Sequence, residues 1–264
     1  MSADRLPMFR SLSQLVNKTV VVIGGSSGIG YEVAKGALEH GAKVIIASSH
    51  ADKVEAAVTR LSELHEIFRS RISGSTCNAK SETDIERFWD GVGKFDHLVW
   101  TAGELINSGF VETKIGDQKE SFDVHFWGPV ISAKYIAKKG YINTKGSITL
   151  TIGSSFRKPL DEMVIVAAIG GAIDGLTRGL AVQLAPIRVN AVSPGYVETE
   201  IWNAMDPKRK TGLSKFVATT ALVRHVAQPE ELADAYLFCM KCTNITGITL
   251  DVDGGRLLAQ PIPN

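Results

Sequence analysis

The sequence predicts an α/β fold built as one doubly wound parallel sheet, and three observations predict it. Short runs rich in Val and Ile alternate with helical segments along the whole chain. The runs are apolar throughout rather than alternately apolar and polar, the mark of strands covered on both faces. A glycine-rich turn joins the first run to the first helix, as in a βαβ unit that closes on a ligand.

The elements follow in order. "TVVVIGG" leads to a helix over 28–40, "AKVIIA" to one over 51–69, and "RISGST" to one over 81–92. "DHLVWTAG" leads to a helical stretch over about 112–140, and "GSITLTIG" to a helix over about 162–184. "IRVNAVSPG", further helices and "GITLDVDGG" complete the sheet. No Pro/Gly/Ser-rich linker, repeat or low-complexity block interrupts the pattern, so one domain is expected over 1–264, with 1–16 as an N-terminal extension. The segment at about 200–228 is polar, is punctuated by Gly and Pro, and follows a strand end. In open α/β sheets that edge carries the ligand crevice, so it reads as a substrate-side lid. An ordinary surface excursion is the competing reading.

Composition narrows the function classes. The 264 residues hold 29 Lys+Arg against 28 Asp+Glu, a net charge of +1, which offers no basic field for a nucleic acid or an anionic membrane. No apolar run of membrane-spanning length is evident, and the first residues lack the apolar core of a signal peptide. Three cysteines cannot form a disulfide framework, so a reducing, cytoplasmic setting is expected. Cys239 and Cys242 form a C-x-x-C inside a helical segment, remote in sequence from Cys77, and read as packing residues; no metal site is expected.

The first glycine turn points to a dinucleotide. Gly24 permits the tight turn, Gly28 lets the backbone approach a diphosphate, and Gly30 follows inside the helix, with Ser26, Ser27 and Ile29 between. The helix N-terminus offers N–H groups and a positive dipole end to the anion. An NAD site places Asp or Glu about 20 residues past the glycines, for the ribose 2′-hydroxyl. Here that place holds Ala47, Ser48, Ser49 and His50, with Lys53 one turn on, and hydroxyls with a cation suit a 2′-phosphate. NADP(H) is therefore expected over NAD(H).

Taken with the rest of the chain, these features resemble the short-chain dehydrogenase/reductase family, classical subtype, from about Thr19 to Leu258. "IGGSSGIG" is similar to TGxxxGxG, "WTAG" stands for NNAG and keeps Ala102 and Gly103, and "ITGITLDVDGG" matches the last strand. Asn78 falls where an adenine-contacting Asp is usual. "RVNAVSPGYVET" carries the PG motif, which implies cofactor contacts from Pro194, Gly195 and Val197, with Thr199 placed for the nicotinamide carboxamide. The resemblance implies a Rossmann-like single domain and a nicotinamide cofactor.

The departures fall on the chemistry. The family uses an Asn-Ser-Tyr-Lys tetrad. "DVHFWG" puts His125 in place of the Asn, "TIGS" offers Ser154 one residue from the usual Ser register, and "GGAIDGLTR" fixes Val166 in the Tyr position and Gly170 in the Lys position. Without Tyr and Lys, ordinary ketone reduction loses a general acid, and three readings follow. The first is a reductase of an apolar small molecule that needs no proton, such as an iminium, with Asp161 or Glu162 stabilising the cation. It resembles in kind the tetrad-depleted members of the family in fungal indole-alkaloid pathways, some of which also guide a cycloaddition; Ser193 stands where those carry an Asp before the PG motif. The second is a non-redox cyclase or isomerase, and the third a non-catalytic dinucleotide sensor. His125 is a candidate replacement acid, set against a histidine satisfied by backbone at a helix irregularity. Tyr196, Trp202 and Phe156 are candidate substrate contacts; Trp100, Phe126 and Trp127 also lie near strand ends. Arg157 and Lys158 are candidate anchors for an acidic or carbonyl-bearing substrate, set against the plainer reading of solvated loop cations. Finally, Gly171, Gly175 and Gly179 share one helix face suited to close helix packing, so a homodimer or homotetramer is expected.

Overall fold

The computed structural model describes residues 9–106 and 109–260. Seven parallel strands form one sheet: β1 (Thr19–Ile23), β2 (Lys43–Ser48), β3 (Ile72–Thr76), β4 (Phe95–Trp100), β5 (Ile142–Thr151), β6 (Arg188–Pro194) and β7 (Thr249–Val252). The spatial order is β3-β2-β1-β4-β5-β6-β7, so the winding direction reverses between β1 and β4 and opens a crevice at their carboxyl ends. After the short α1 (Arg10–Ser13), the helices are α2 (Gly28–Glu39), α3 (Ala51–Leu64), α4 (Glu82–Val92), α5 (Ile115–Phe122), α6 (Gly128–Lys139), α7 (Val164–Gln183), α8 (Pro207–Thr220) and α9 (Pro229–Lys241).

The uninterrupted apolar strands divide their side chains between two cores. Along β1, Val20 and Val22 face the α2, α3 and α9 layer, whereas Val21 and Ile23 face the α4, α6 and α7 layer. Of the three free cysteines, Cys77 and Cys239 are buried in these cores.

Three expectations change in detail. The stretch at about 112–140 is not one helix, because a π-helical turn at Asp123–Trp127 separates α5 from α6. Pro129 has no N–H to give the His125 carbonyl, and the Gly128 N–H reaches back five residues to Asp123 instead. The helix over 51–69 stops at Leu64, and His65 Nδ1 accepts the Ile67 N–H to start a 3₁₀ turn over Glu66–Ser70. The segment at 200–228 is largely helical: Asp206 caps α8 by accepting the Lys208 and Arg209 N–H groups at 3.0 Å, with Pro207 at the first helical position.

A fourth expectation is corrected. Among the described residues α7 is long and apolar enough to cross a membrane, by length and composition. Its inward residues Ile169, Gly170, Ile173 and Thr177 pack on the domain, and Asp174 accepts a 2.7 Å hydrogen bond from Thr249 on β7.

Asp96 knits the amino-terminal edge of the sheet. Its carboxylate accepts from the Thr19 N–H at 2.9 Å, Lys18 Nζ at 3.1 Å and Asn143 Nδ2 at 2.9 Å, joining β1, β4 and β5. Burial pushes its pKa up, but these three donors outweigh burial and hold it below the usual aspartate range. A depressed native pKa gives stability that is complete above the unfolded value and is lost as pH falls through the native one. Asp96→Asn is predicted to cost about 1–3 kcal/mol at neutral pH. Urea titrations at neutral and acidic pH check this, since the variant should lose less stability on acidification than wild type.

Candidate active site

The crevice starts at the turn between β1 and α2. The Gly24 N–H donates to Ala47 O at 2.8 Å, while Thr101 and Ala102 both donate backbone N–H groups to Ile23 O, at 2.8 and 2.9 Å. These bonds bring the ends of β1, β2 and β4 together. Gly24 sits at φ +91°, where an added Cβ would meet Ala102 N at 2.4 Å. One on Gly30 would lie 2.3 Å from both Gly24 O and Thr101 Oγ1. Gly28, at φ +52°, opens α2, and Thr199 Cγ2 and Glu200 Oε2 lie 3.1 and 3.4 Å from where its Cβ would stand. Ser27 leaves the helix without a side-chain cap, so the first-turn N–H groups face the crevice with the positive end of the dipole. Ser26 and Ile29 flank this turn, buried and half-buried. The cradle fits a dinucleotide diphosphate: a side chain at Gly24 or Gly30 would force its walls apart, and one at Gly28 would run into Thr199.

The remaining predicted cofactor residues are spread along the same edge. Ser48, Ser49 and His50 close β2, with Ser49 Oγ 2.8 Å from His50 Nδ1, and Lys53 lies exposed in the first turn of α3. Asn78 is exposed beyond β3 and accepts the Lys80 N–H at 3.1 Å. Ala102 and Gly103 continue from β4; a Cβ on Gly103 would lie 2.9 Å from His125 Nε2. Pro194 ends β6, the Gly195 N–H donates to Val252 O at 3.2 Å, and Val197 is buried in a bridge to Ala227. This path delivers Thr199 to Gly28.

No hydrogen bond connects any two of the predicted catalytic residues. His125 lies on the π-helical turn, where its Nδ1–H donates to Ser121 O at 3.0 Å and its Nε2 accepts the Glu104 N–H at 3.3 Å. A ring nitrogen that accepts an N–H carries no proton, so the tautomer is fixed. Burial lowers the His125 pKa, opposed in part by the Ser121 carbonyl. Both ring nitrogens are thus engaged by backbone groups, which matches the reading of a histidine satisfied by backbone at a helix irregularity. Ser154 is 3% exposed and accepts from Arg256 Nη1 at 3.2 Å, facing the carboxyl-terminal segment. Asp161 is exposed in the turn before α7, where it accepts the Glu162 N–H at 3.1 Å rather than capping the helix.

The positions expected for Tyr and Lys are filled by packing. Val166 is half-buried in the first turn of α7, and Gly170 is buried one turn later. A Cβ on Gly170 would stand 2.5 Å from Phe156 Cβ, so the 3₁₀ turn Ser154–Phe156 presses against the helix backbone. The carboxyl-terminal segment clasps this turn. Arg256 Nη2 donates to Lys158 O, while Lys158 Nζ donates to Arg256 O at 3.1 Å and to Ala259 O at 2.6 Å. Arg157 pairs with Asp251 and lies over the Phe156 ring, 4.9 Å from its centroid. Arg157 and Lys158 are therefore tethers rather than solvated cations. Arg256 was not among the residues singled out from sequence; its signal was only its place just after the "DVDGG" strand.

The predicted substrate aromatics divide. Phe156 is half-buried against α7. Tyr196 is 8% exposed, donates to Glu198 at 3.1 Å and packs on Trp202, ring centroids 4.9 Å apart. Trp202 also donates its indole N–H to Val197 O at 2.8 Å. Tyr196 is a support for the segment after the PG motif, whereas half-buried Trp202 keeps a partly open face. Trp100 is a core residue whose Nε1–H donates to Val124 O, and Trp127 is 51% exposed on the outer surface. Among the described residues no cluster of His, Cys, Asp or Glu could hold a metal.

A strand order that reverses between β1 and β4, glycines that only bare backbone can satisfy, and a PG segment folded back on them define a nicotinamide-dinucleotide scaffold. Residues 12–259 match the SDR-like Rossmann domain, and the chain belongs to the short-chain dehydrogenase/reductase family. The short-chain dehydrogenase/reductase ATR9 of Stachybotrys chlorohalonatus is 36% identical, over 91% of this chain and 97% of its own. The MalC reductase/Diels-Alderase of Malbranchea aurantiaca superposes with a TM-score of 0.85 at 32% identity, covering 94% of this chain and 99% of MalC. A small-chain dehydrogenase solved in complex with NADPH gives a TM-score of 0.75 at 32% identity, covering 92% and 99% of the two chains.

The contact at Gly170 makes a signed prediction. Alanine normally stabilises a helix relative to glycine by up to about 1 kcal/mol, and Gly91→Ala in α4, where a Cβ meets nothing within 4 Å, should do so. Gly170→Ala should instead destabilise by about 1–3 kcal/mol, because Phe156 must be pushed away. Thermal melts of the two variants check the opposite signs.

Proposed function

We propose that this protein binds NADP(H) and reduces an apolar small molecule whose reacting carbon needs no proton from the enzyme, such as an iminium. One contrast carries this reading: the diphosphate cradle at Gly24, Gly28 and Gly30 is kept, while Val166, and Gly170 beneath Phe156, fill the places of the proton machinery. The bound cofactor supplies a hydride. Gly28 and the start of α2 hold its diphosphate, Thr199 faces its carboxamide, and the carboxylate-free end of β2 leaves a 2′-phosphate unopposed. Phe156 and Val166 give the reacting end an apolar wall with no acid on it. An iminium carbon already bears the charge that a carbonyl gains only on protonation, so the general acid worth about 10²- to 10⁴-fold is not required. The NADPH complex of a relative supports the cofactor, and the names and fungal sources of ATR9 and MalC support a reductase of specialised metabolism.

A cyclase on the same scaffold is the second reading, favoured by the MalC name and by the apolar wall, since cyclisation needs orientation more than proton transfer. The segment at 200–228 serves either reaction as a lid. Lys210 on α8 binds Glu198 at 2.7 Å, and Arg209 lies 3.9 Å from Glu162 before α7, so α8 bridges the two sides of the substrate end.

Label transfer from 4-deuterated NADPH separates the readings. A cyclic iminium should gain deuterium, and the ketone of the same skeleton should react at least about 100-fold more slowly. Ordinary ketone turnover contradicts the proposal, and label transfer to neither substrate favours the cyclase.

Assembly is part of the proposal. Added Cβ atoms on Gly171, Gly175 and Gly179 meet nothing within 4 Å, so α7 presents a smooth open face to a second copy of the chain. Light scattering at micromolar concentration should give the mass of a dimer or tetramer; a monomer mass contradicts it.

A further inference from the structure

A cleft of about 350 Å³ lies between the glycine loop, α2 and the start of the lid, and its charges are unevenly paired. Lys210 is neutralised by Glu198 at 2.7 Å and also donates to Asn203 at 3.2 Å, while Glu32 is paired with Lys35 at 3.0 Å. Arg60 also lines the cleft, and it makes no ion pair with a carboxylate of the described residues. It is nonetheless held in place. One guanidinium nitrogen donates to the Ser26 carbonyl at 3.0 Å, and the guanidinium lies over the Tyr31 ring, 4.5 Å from its centroid. A guanidinium has five N–H donors in a planar fork that matches phosphate. The carbonyl and the ring fix that fork beside the glycine loop and leave other donors for a ligand.

Position selects which phosphate. Arg60 comes from α3, the helix that follows β2, and it grips the loop two residues before Gly28. In this fold a dinucleotide's adenosine ribose lies toward the end of the second strand, which here carries no carboxylate, and α3 is the helix that follows that strand. The exposed Glu200 lines the cleft beyond Gly28. We infer that Arg60 is the cation that binds the 2′-phosphate of NADP(H) and sets the preference over NAD(H). This rests on the NADP(H) reading above and assigns it to a residue other than Lys53, which is exposed one turn into the same helix and makes no side-chain ion pair or hydrogen bond among the described residues.

Calorimetric titration of wild type, Arg60→Met and Arg60→Lys with NADPH and with NADH tests it. Methionine keeps an apolar stem over Tyr31 and removes the fork. Arg60→Met should weaken NADPH about 10- to 100-fold and leave NADH within about twofold, with Arg60→Lys between. Adenosine 2′,5′-bisphosphate should compete with NADPH better than adenosine 5′-monophosphate in wild type, and lose that advantage in Arg60→Met, a readout that general loosening of the loop does not produce. Unchanged NADPH affinity in Arg60→Met overturns the assignment. An equal loss for both dinucleotides also overturns it, because the guanidinium would then serve the diphosphate or the loop. Failure of wild type to bind either dinucleotide removes the cofactor reading itself, before any variant is compared.

Discussion

A Cβ on Gly24 would stand 2.4 Å from the Ala102 nitrogen, and one on Gly30 2.3 Å from the Gly24 carbonyl oxygen. The ends of β1 and β4 and the first turn of α2 therefore meet backbone to backbone, with no room for side chains. That approach lies at the strand-order reversal, where the crevice opens, and it aims the uncapped start of α2 into it. Thr199 and the lid reach Gly28 from the far side of the sheet because β6 and β7 continue the parallel order. Everything proposed for the cofactor depends on this seam.

The other end of the crevice is set by a second close contact. Gly170 has no side chain because Phe156 presses on it, and Phe156 is held by a turn that Arg256 and Lys158 clasp reciprocally to the carboxyl-terminal segment. The position read as the family's lysine is thus closed by packing, with Phe156 against its backbone. A lysine placed there would drive its Cβ into Phe156.

Much of this was legible in the chain. Continuous apolar runs and the glycine spacing place the strands, the crevice and the diphosphate seat, because backbone geometry at Gly24, Gly28 and Gly30 permits few other uses. The "GLTR" register pointed to Val166 and Gly170 as the positions where the family carries Tyr and Lys. The π-helical turn was not, since Pro129 marks a lost hydrogen bond but not how the helix absorbs it. The state of His125 was also hidden: a lone histidine shows neither the Ser121 carbonyl nor the Glu104 N–H that fix its tautomer. Arg60 and Arg256 act across 34 and 102 residues of sequence, and such tertiary contacts leave no local pattern.

The central claim is that the dinucleotide seat is retained for use while the proton machinery is gone. Following nicotinamide fluorescence as NADPH is titrated into wild-type protein tests it most directly. Saturable binding with a micromolar dissociation constant is expected. No saturation up to millimolar NADPH would contradict it, and would leave the glycine turn as scaffold alone.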